Sequence, residues 1–439
     1  MRTDWVEVGL GTICDFIGGG TPSKSNPEYW AGEIQWASIK DLKGSFLIRT
    51  EDSISEEGLK NSASNLALEG DIILATRINP GRPIISKIRV AINQDLKIVK
   101  PLLEFSPRFL FYLFKEIEPK VLKLSSGTTV LGINLANLKS IAVPLPPLPE
   151  QRAIVARIEE LFSELDHAVS SLKSAQAKLD IYRQAVLKKA FEGGFTKGEN
   201  WEWKGITEII SNEKYSIKAG PFGSSLKKEF YTESGFKVYG QEQVISGDPF
   251  LGDYFIGKSK YNELKTCSVQ PGDILISLVG TVGKVLILPE NALPGIINPR
   301  LIKITLDDQV YNRRFFKYYF ESSKVKSLYK MDASGTTMDV LNLGVIKRIP
   351  FPLPPTIQEQ EQIVQEIESR LSVADKLAET IQTNLQKSEA LRESILKKAF
   401  EGRLLSESEV EACRKEVDWE PAERLLERIK QEKSKSKKL

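Results

Sequence analysis

One segment of this chain matches the sequence pattern of a phosphate-binding loop. Residues 252–259 read Gly-Asp-Tyr-Phe-Ile-Gly-Lys-Ser, which satisfies the G-x-x-x-x-G-K-[ST] pattern letter by letter. Such a loop needs a buried strand before it, small residues within it and a helix after it. The residues at 254–256 are bulky, and those at 247–249 are typical of a turn. An internal repeat also places Glu56 opposite Lys258, and a glutamate cannot hold a phosphate. A nucleotide-hydrolysing enzyme is therefore a disfavoured alternative.

Other residues that could carry catalysis are few. His167 is the only histidine, so the sequence excludes a histidine-based metal site and leaves a Ser-His-Asp triad one candidate base. Cys14, Cys267 and Cys413 form no CxxC pair, which argues against a zinc ribbon and a disulfide framework. The sequence contains no Asn-Pro-Pro-aromatic motif for base methylation and no acidic cluster typical of a nuclease. We predict no catalytic residue, metal or cofactor in this chain.

The elements that would position any site occur twice in the chain. The sequence Leu-Lys-Lys-Ala-Phe-Glu-Gly at 187–193 recurs at 396–402, and Pro-Leu-Pro-Pro at 144–147 recurs at 352–355. A repeat of this length is too long for a solenoid and indicates a duplicated domain pair. Each copy is predicted to contain a globular unit, a proline hinge and a long helix.

Shorter matches extend the repeat into the globular units. Gly-Asp-Ile at 70–72 recurs at 272–274, and Trp5 is predicted to correspond to Trp203. The short apolar runs that follow these Gly-Asp turns favour buried strands. Together with the helical segments near each proline hinge, they predict an α+β (mixed α/β) fold for both units.

The long helices carry a heptad pattern that is typical of a coiled coil. The predicted contact positions are Ile154, Ile158, Leu161, Leu165, Leu172 and Leu179 in the first helix, and Ile363, Ile367, Leu377, Ile381, Leu391 and Ile395 in the second. Arg370, Asn384 and Ser388 interrupt the second pattern and are predicted to be partner-docking positions. Two such apolar stripes bury each other best as an antiparallel pair, with one globular unit at each end.

The order of globular unit, Pro-Leu-Pro-Pro, Glu-Gln and heptad helix, present twice, resembles the specificity subunit of type I restriction–modification enzymes. The resemblance extends from about residue 5 to residue 402. It implies a pseudo-two-fold internal repeat in which DNA target recognition domains alternate with spacer helices. The corresponding boundaries are 1–147 and 196–355 for the recognition domains and 148–195 and 356–405 for the helices. A charged tail at 406–439 does not match the family pattern. We expect it to be solvated, and the alternative is a short helix with a frayed basic end that contacts phosphates weakly.

The resemblance implies that the chain reads double-stranded DNA and leaves the chemistry to partners. Two copies of a methyltransferase subunit would bind S-adenosylmethionine, and a motor-nuclease subunit would use ATP and magnesium. We expect a cytoplasmic protein, because the N-terminus has no run typical of a signal peptide and no apolar stretch is long enough for a membrane span. The remaining alternative is a coiled-coil adaptor whose globular units bind proteins. Two dissimilar globular units favour DNA recognition of a split site with different halves.

Candidate DNA contacts lie in glycine-rich turns and beside the predicted strands. The net charge of only +3 means that binding depends on local basic patches. Small residues let backbone N–H groups approach a phosphate, and Arg or Asn can bind base edges. The candidates are Gly19, Gly20, Thr21, Lys24, Arg77, Asn79, Arg82 and Thr128 in the first half, and Lys218, Gly220, Gly223, Ser224, Lys284, Arg300 and Thr336 in the second. A structural turn remains an equal interpretation for the glycines, and helix capping for the two later threonines.

Overall fold

The computed structural model describes residues 2–102, 105–127, 129–196, 200–332 and 341–436. The chain folds as two compact units, one formed by residues 1–171 and 383–439 and the other by residues 172–382. Two helices of 44 residues, Leu148–Phe191 and Ile357–Phe400, each begin in one unit and end in the other. Each unit combines β-sheets with helices, so the predicted α+β class is confirmed.

The first unit contains a five-stranded, a four-stranded and a two-stranded sheet. In order across each sheet, the strands are Cys14–Gly18, Leu96–Pro101, Ile72–Ala75, Pro83–Ser86 and Phe46–Leu47; Asp52–Ile54, Ile34–Ala37, Val90–Ile92 and Asn65–Ala67; and Val6–Gly9 with Ala142–Leu145. The shorter α-helices are Leu10–Ile13, Glu56–Lys60, Pro107–Leu124, Leu135–Ser140, Glu407–Arg414 and Ala422–Ser436, and 3-10 helices span Pro27–Trp30 and Ile39–Asp41.

The second unit repeats this arrangement of sheets. Its strands, again in sheet order, are Ile217–Ala219, Leu301–Ile304, Ile274–Ser277 and Val285–Ile287; Tyr231–Thr232, Phe255–Ile256, Phe236–Tyr239, Gly295–Ile297 and Ser268–Val269; and Glu202–Lys204 with Phe351–Leu353. The shorter α-helices are Gln241–Ser246, Lys258–Glu263, Arg313–Phe320, Ser323–Asp332 and Leu343–Arg348, and 3-10 helices span Ile206–Glu208, Gly223–Ser225, Lys228–Phe230 and Lys265–Cys267.

The repeated Gly-Asp turns begin equivalent buried strands in the two units. The Asp71 carboxylate accepts the backbone N–H of Leu68 (2.7 Å), and the Asp273 carboxylate accepts that of Gln270 (2.8 Å). Each aspartate therefore closes the turn that starts its strand. The Gly-Asp repeat therefore has a structural explanation.

The repeated Glu-Gln pair joins the start of each long helix to its globular unit. Trp5 Nε1 donates to Glu150 (2.8 Å), and Trp201 Nε1 donates to Glu359 (3.0 Å). The strand register gives the same correspondence between the two tryptophans. Val6 pairs with Leu145 and Glu202 pairs with Leu353, and these two leucines occupy the same position in the repeated Pro-Leu-Pro-Pro. Trp5 thus corresponds to Trp201, and the predicted match with Trp203 is wrong by two residues.

Within each unit the two long helices pack antiparallel. In the first unit Ile154 and Ile158 share a buried core with Phe400, and Arg392 forms an ion pair with Asp166. In the second unit Leu187 and Phe191 share a core with Ile363 and Ile367, and Arg183 lies 2.6 Å from Asp375. Early residues of one helix therefore meet late residues of the other.

The contact stripe of the second long helix differs from the predicted one. Leu377 and Leu391 are 48% and 50% exposed, so they lie off the stripe. The contact stripe instead includes the residues that lie four positions after the buried Ile367, Ala374, Ile381 and Ser388. These residues are Leu371, Ala378, Leu385 and Arg392. The sequence allowed either a step of three or a step of four from residues such as Ala374, and the helix uses the step of four. Arg370 is exposed and does not interrupt the stripe, Asn384 is half-buried beside it, and Ser388 lies in it and is buried.

The remaining predicted contact positions lie on the stripes, with different degrees of burial. Ile154, Ile158, Leu179, Ile363, Ile367 and Ile381 are buried, and Leu161, Leu165, Leu172 and Ile395 are half-buried. Buried positions occur near the ends of the helices, where each one joins a globular core, and also at Ile381 in the middle of the second helix. Among the described residues, no helix is long and apolar enough to cross a membrane.

The C-terminal residues form two helices that pack on the first unit. Leu425 and Ile429 are fully buried in its core. At the surface, Arg152 Nη1 lies 2.8 Å from Asp418, and Arg414 Nη2 lies 3.0 Å from Asp4. The expectation of a solvated tail is therefore wrong over the described part of this segment. Its charged side chains lie mainly on the outer faces, while Val410, Leu425 and Ile429 are buried.

Candidate nucleic-acid interface

Three turns meet at one edge of the sheets in the first unit. They are the glycine turn at 19–20, the turn at 75–82 after the buried strand, and an asparagine turn at 93–95. The Gly20 N–H donates to the Ile92 carbonyl (3.0 Å) and the Thr76 N–H donates to the Asp95 carbonyl (2.8 Å). These backbone bonds fix the three turns against one another, so the side chains they carry have a rigid base.

Polar side chains from these turns contact one another. Thr21 Oγ1 donates to Gln94 Oε1 (2.5 Å), Arg77 Nη1 lies 3.3 Å from Asp95 Oδ1, and Lys97 Nζ donates to the Gln94 carbonyl (3.1 Å). Burial lowers the pKa of Lys97, and the Asp95 carboxylate opposes that shift. The structure thus brings the predicted Thr21 and Arg77 together around two residues, Gln94 and Asp95, that the sequence analysis missed.

The glycines of the first turn have a structural explanation. A side chain at Gly19 would collide with the Asn93 carbonyl, and one at Gly20 would collide with the backbone of Ala63. The Gly20 carbonyl accepts bonds from Trp36 Nε1 (3.1 Å) and Ser64 Oγ (2.6 Å). Because the Gly20 N–H is also bonded internally, these glycines serve close packing of the backbone, and phosphate binding is not needed to explain them.

The other candidates of the first unit lie apart from this contact. Asn79 and Lys24 are exposed. Arg82 is half-buried, and its neighbour Gly81 packs so closely on Val121 that a side chain there would collide. Arg82 therefore sits on the side of the turn near the helix Pro107–Leu124. Thr128 lies outside the described residues.

The second unit has the same three turns, and two of them, the glycine turn and the asparagine turn, border a groove of about 570 Å³. The Leu278 N–H donates to the Arg300 carbonyl (3.0 Å), as Thr76 does to Asp95 in the first unit. Arg300 Nη1 approaches Gln241 Oε1 at 3.5 Å. The groove is lined by Gly223, Lys228, Tyr231, Val238, Gly240, Gln241, Glu242, Tyr254, Asn298, Pro299 and Arg300. Basic, amide and aromatic side chains of this kind can bind phosphates and base edges.

Strand register aligns the glycine turns of the two units. Gly18 pairs with Lys97 and Ala219 pairs with Ile302, which places Gly19 opposite Gly220 and Thr21 opposite Phe222. The sequence alone predicts a match of residues 18–24 with 218–224, and the strand register shifts this alignment by one residue. A side chain at Gly220 would collide with the Asn298 carbonyl, so this glycine too is explained by close packing.

Phe222 stands out in the second glycine turn because 88% of it is exposed. Its neighbour Gly223 lines the groove, so an aromatic ring stands at the rim. The sequence alone does not identify this residue, because an isolated Phe in a chain with 19 of them carries no signal.

The remaining candidates of the second unit lie outside the groove. Lys218 is half-buried, with its Nζ 5.6 Å from the centre of the Tyr215 ring. Ser224 and Lys284 are exposed. Thr336 lies outside the described residues.

The segment that matches the phosphate-loop pattern has a different structure. Phe255 and Ile256 form a strand that pairs with both neighbouring strands, so their backbone groups take part in a sheet. A helix of six residues, Lys258–Glu263, follows at once. The same strand and helix occur at 52–60 in the first unit, where no lysine is present at the matching position.

The single histidine, His167, is exposed on the first long helix.

Comparison with known proteins gives a consistent result. A family model described as "Type I restriction modification DNA specificity domain" matches residues 2–171 and 199–387. The EcoBI specificity subunit of a type I restriction enzyme from Escherichia coli is 25% identical over 356 residues, covering 76% of this chain and 73% of that protein. The MjaVIII specificity subunit from Methanocaldococcus jannaschii is 23% identical over 418 residues, covering 91% and 93%.

Solved structures share the fold. A chain from "Structural basis underlying complex assembly and conformational transition of the type I R-M system" has a TM-score of 0.71 at 21% identity, covering 92% of this chain and 99% of that one. The HsdS subunit from Thermoanaerobacter tengcongensis has a TM-score of 0.55 at 20% identity, covering 92% and 98%.

Proposed function

The chain belongs to the type I restriction modification DNA specificity family, and on that premise we propose that it reads a split double-stranded DNA site whose two halves differ. The observation that carries the proposal is the repeated edge of three turns. Both units build this edge on the same backbone, but they place different side chains on it. A common backbone with different side chains is what two readers of different base sequences require.

The first unit presents Thr21, Gln94 and the Arg77–Asp95 ion pair on this edge. The second presents Phe222, Arg300 and a groove with Lys228 and two tyrosines. Arginine and amide side chains can contact base edges, which carry the sequence information, whereas contacts to phosphates do not carry it. The two half-sites are therefore expected to have different base compositions.

We infer that catalysis resides in partner subunits. A methyltransferase subunit, in two copies matching the two repeats, would supply S-adenosylmethionine chemistry, and a motor-nuclease subunit would supply ATP- and magnesium-dependent cleavage. The repeated packing of the long helices offers each copy of a partner the same type of surface. The alternative of a protein-binding adaptor finds no support in the comparisons, whose relatives are named as specificity subunits.

Mapping methylated bases tests the proposal. The chain is produced together with its methyltransferase subunit, in a host that lacks other methylation, and all modified sites are sequenced. We expect a bipartite motif with two different halves and an unspecified gap. A contiguous motif, a palindromic pair of halves, or no methylation by an assembled complex would contradict the proposal.

A further inference from the structure

On the basis of the proposed function, we propose that the asparagine turn is a base-reading element in both units, with Gln94 contacting adenine in one half-site and Arg300 contacting guanine in the other. This assigns two residues to specificity in turns that are otherwise explained by backbone structure alone.

The turn has the same internal bonds in the two units. Asn93 Oδ1 accepts the Asp95 N–H (3.0 Å), and Asn298 Oδ1 accepts the Arg300 N–H (2.9 Å). The carbonyls of Asp95 and Arg300 accept backbone N–H groups from the neighbouring turn at 2.8 and 3.0 Å. Each turn is therefore held from both sides, and a side chain on it starts from a fixed backbone, which lowers the entropy lost on binding.

The residues after the asparagine differ completely between the two turns. The first unit has Gln94 and Asp95, and the second has Pro299 and Arg300. The shared bonds involve only the asparagine side chain and backbone atoms. The fold therefore needs the asparagine but does not dictate the next two side chains, so these positions are able to vary with the DNA sequence that is read.

In the first unit the amide of Gln94 has the groups that recognise adenine. The side chain is exposed, and Thr21 donates to its Oε1 (2.5 Å). An amide oxygen has two lone pairs, so Oε1 can still accept the adenine N6–H while Nε2 donates to N7, the bidentate contact of glutamine with adenine. Arg77 offsets the negative charge of the adjacent Asp95 at 3.3 Å, which reduces repulsion of the DNA backbone.

In the second unit Arg300 has the groups that recognise guanine. It is exposed at the groove, and among the described residues its guanidinium has one polar contact, a long one of 3.5 Å to Gln241. A guanidinium offers five N–H donors, so this contact orients the group and leaves donors for guanine O6 and N7. A lysine at this position would keep the charge but lose the bidentate geometry.

The test uses the assembled complex with its methyltransferase subunit and a library of sites randomised in both halves. Gln94→Ala should lower discrimination for adenine at one position of one half-site by about 5- to 150-fold, which corresponds to about 1–3 kcal/mol. Arg300→Lys should lower discrimination for guanine at one position of the other half-site to a similar extent, with little change in salt dependence. Lys60→Ala and Lys258→Ala, exposed changes in the same units, serve as matched controls and should leave the motif unchanged.

Two results would overturn the inference. An unchanged motif in both variants would show that the turn does not read bases. A uniform loss of binding to all sequences, with a shallower salt dependence in Arg300→Ala that Arg300→Lys restores, would assign the arginine to a phosphate. Failure of the proposed function is distinguishable, because the unaltered complex would then show no preferred sequence. Assembly of each variant with its partner, checked by gel filtration, confirms that it is folded.

Discussion

Arg77 places its guanidinium 3.3 Å from the Asp95 carboxylate, and the two residues are 18 positions apart in the chain. Their turns are joined by a backbone bond from Thr76 to Asp95 (2.8 Å), so the ion pair has a fixed frame. The Arg77 side chain is nevertheless 54% exposed, while that of Asp95 is only 15% exposed. The carboxylate therefore orients an arginine whose outer face is open to a ligand.

This geometry predicts that Arg77→Ala relaxes the sequence preference of the complex. Loss of an arginine that contacts a base edge removes about 1–3 kcal/mol of discrimination at that position. The measurement is methylation of sites that carry each base at every position of the first half-site. The second half-site should keep its preference and serves as an internal control.

A different pattern would assign Arg77 to the DNA backbone. In that case all sequences would lose affinity equally, and the slope of binding against salt concentration would fall by about one. Arg77→Lys helps to separate the two roles, because lysine keeps a phosphate contact but not a bidentate base contact.

Phe222 yields a prediction about apolar contact in the second half-site. Burying an exposed phenylalanine side chain contributes about 1.5–3 kcal/mol, and an apolar ring can pack on a thymine methyl group or between base pairs. We expect Phe222→Ala to weaken binding of the complex to its own site by roughly 10- to 100-fold, with no change in salt dependence. Titrations at two salt concentrations measure both quantities.

The equivalent residue of the first unit is a natural control for Phe222. Thr21 occupies the matching position but bonds to Gln94, so Thr21→Ala should change base preference more than overall affinity. If Phe222→Ala binds DNA as tightly as the unaltered chain, the exposed ring plays no part in DNA contact.

The organisation of the chain could be predicted from sequence because it depends on strong local patterns. The repeat, the proline hinges and the two long helices follow from residue periodicity and from backbone rules for proline. The stripe of the second helix was assigned incorrectly at Leu377 and Leu391 because steps of three and four are both compatible with a heptad. Packing against the other long helix selects between them, and the contacting residues are far apart in the chain, 192 positions for Arg183 and Asp375 and 226 for Arg392 and Asp166.

The reading edge could be predicted only in part. Thr21 and Arg77 were recognised by residue type, but Gln94 and Asp95 lie in a turn whose contacts are set by strand pairing. The matching asparagines, Asn93 and Asn298, were the feature of the sequence that could have identified this turn. The sequence alignment of the nearby glycine turns differs from the strand register by one residue. The docking of the C-terminal helices escaped prediction because a few buried residues such as Leu425 carry it within a highly charged segment.

Glu150 gives a prediction for the pH dependence of stability. Burial raises the pKa of this carboxyl group above its usual value of 4.5, although the bond from Trp5 opposes the shift. The folded chain thus binds more protons than the unfolded chain between the usual and the raised value, so this group lowers stability as the pH rises through that interval. Glu150→Gln keeps an acceptor for Trp5 without the charge. Its stability relative to the unaltered chain should therefore increase from about pH 4.5 to neutrality.

Unfolding by urea at a series of pH values measures this effect. Glu56→Gln, an exposed change in the same unit, controls for general loss of negative charge. If Glu150→Gln is less stable by the same amount at every pH, the carboxylate is not the source of a pH-dependent penalty.

The C-terminal helices are predicted to stabilise the first unit. Leu425 is fully buried in the core that also contains Leu10 and Phe400. Truncation of a buried leucine costs about 2–5 kcal/mol, so Leu425→Ala should lower the free energy of unfolding by that amount and accelerate hydrogen exchange at 422–436. Glu427→Ala, on the exposed side of the same helix, should change neither. Equal exchange in the two variants would contradict the packing.

Exchange of one reading edge tests the independence of the two units. Residues 14–101 contain both large sheets of the first unit and all three of its turns. Replacing them with the matching segment of a relative that reads another sequence leaves the bond between Trp5 and Glu150 and the ring contact between Phe109 and Phe400 unaltered. We expect the methylated motif to change in one half-site only. The reciprocal exchange of residues 217–304 should change the other half alone, because these residues carry the equivalent sheets and turns. If either chimera altered both halves, base recognition would depend on residues shared by the two units, and the three turns would not be sufficient to define a half-site.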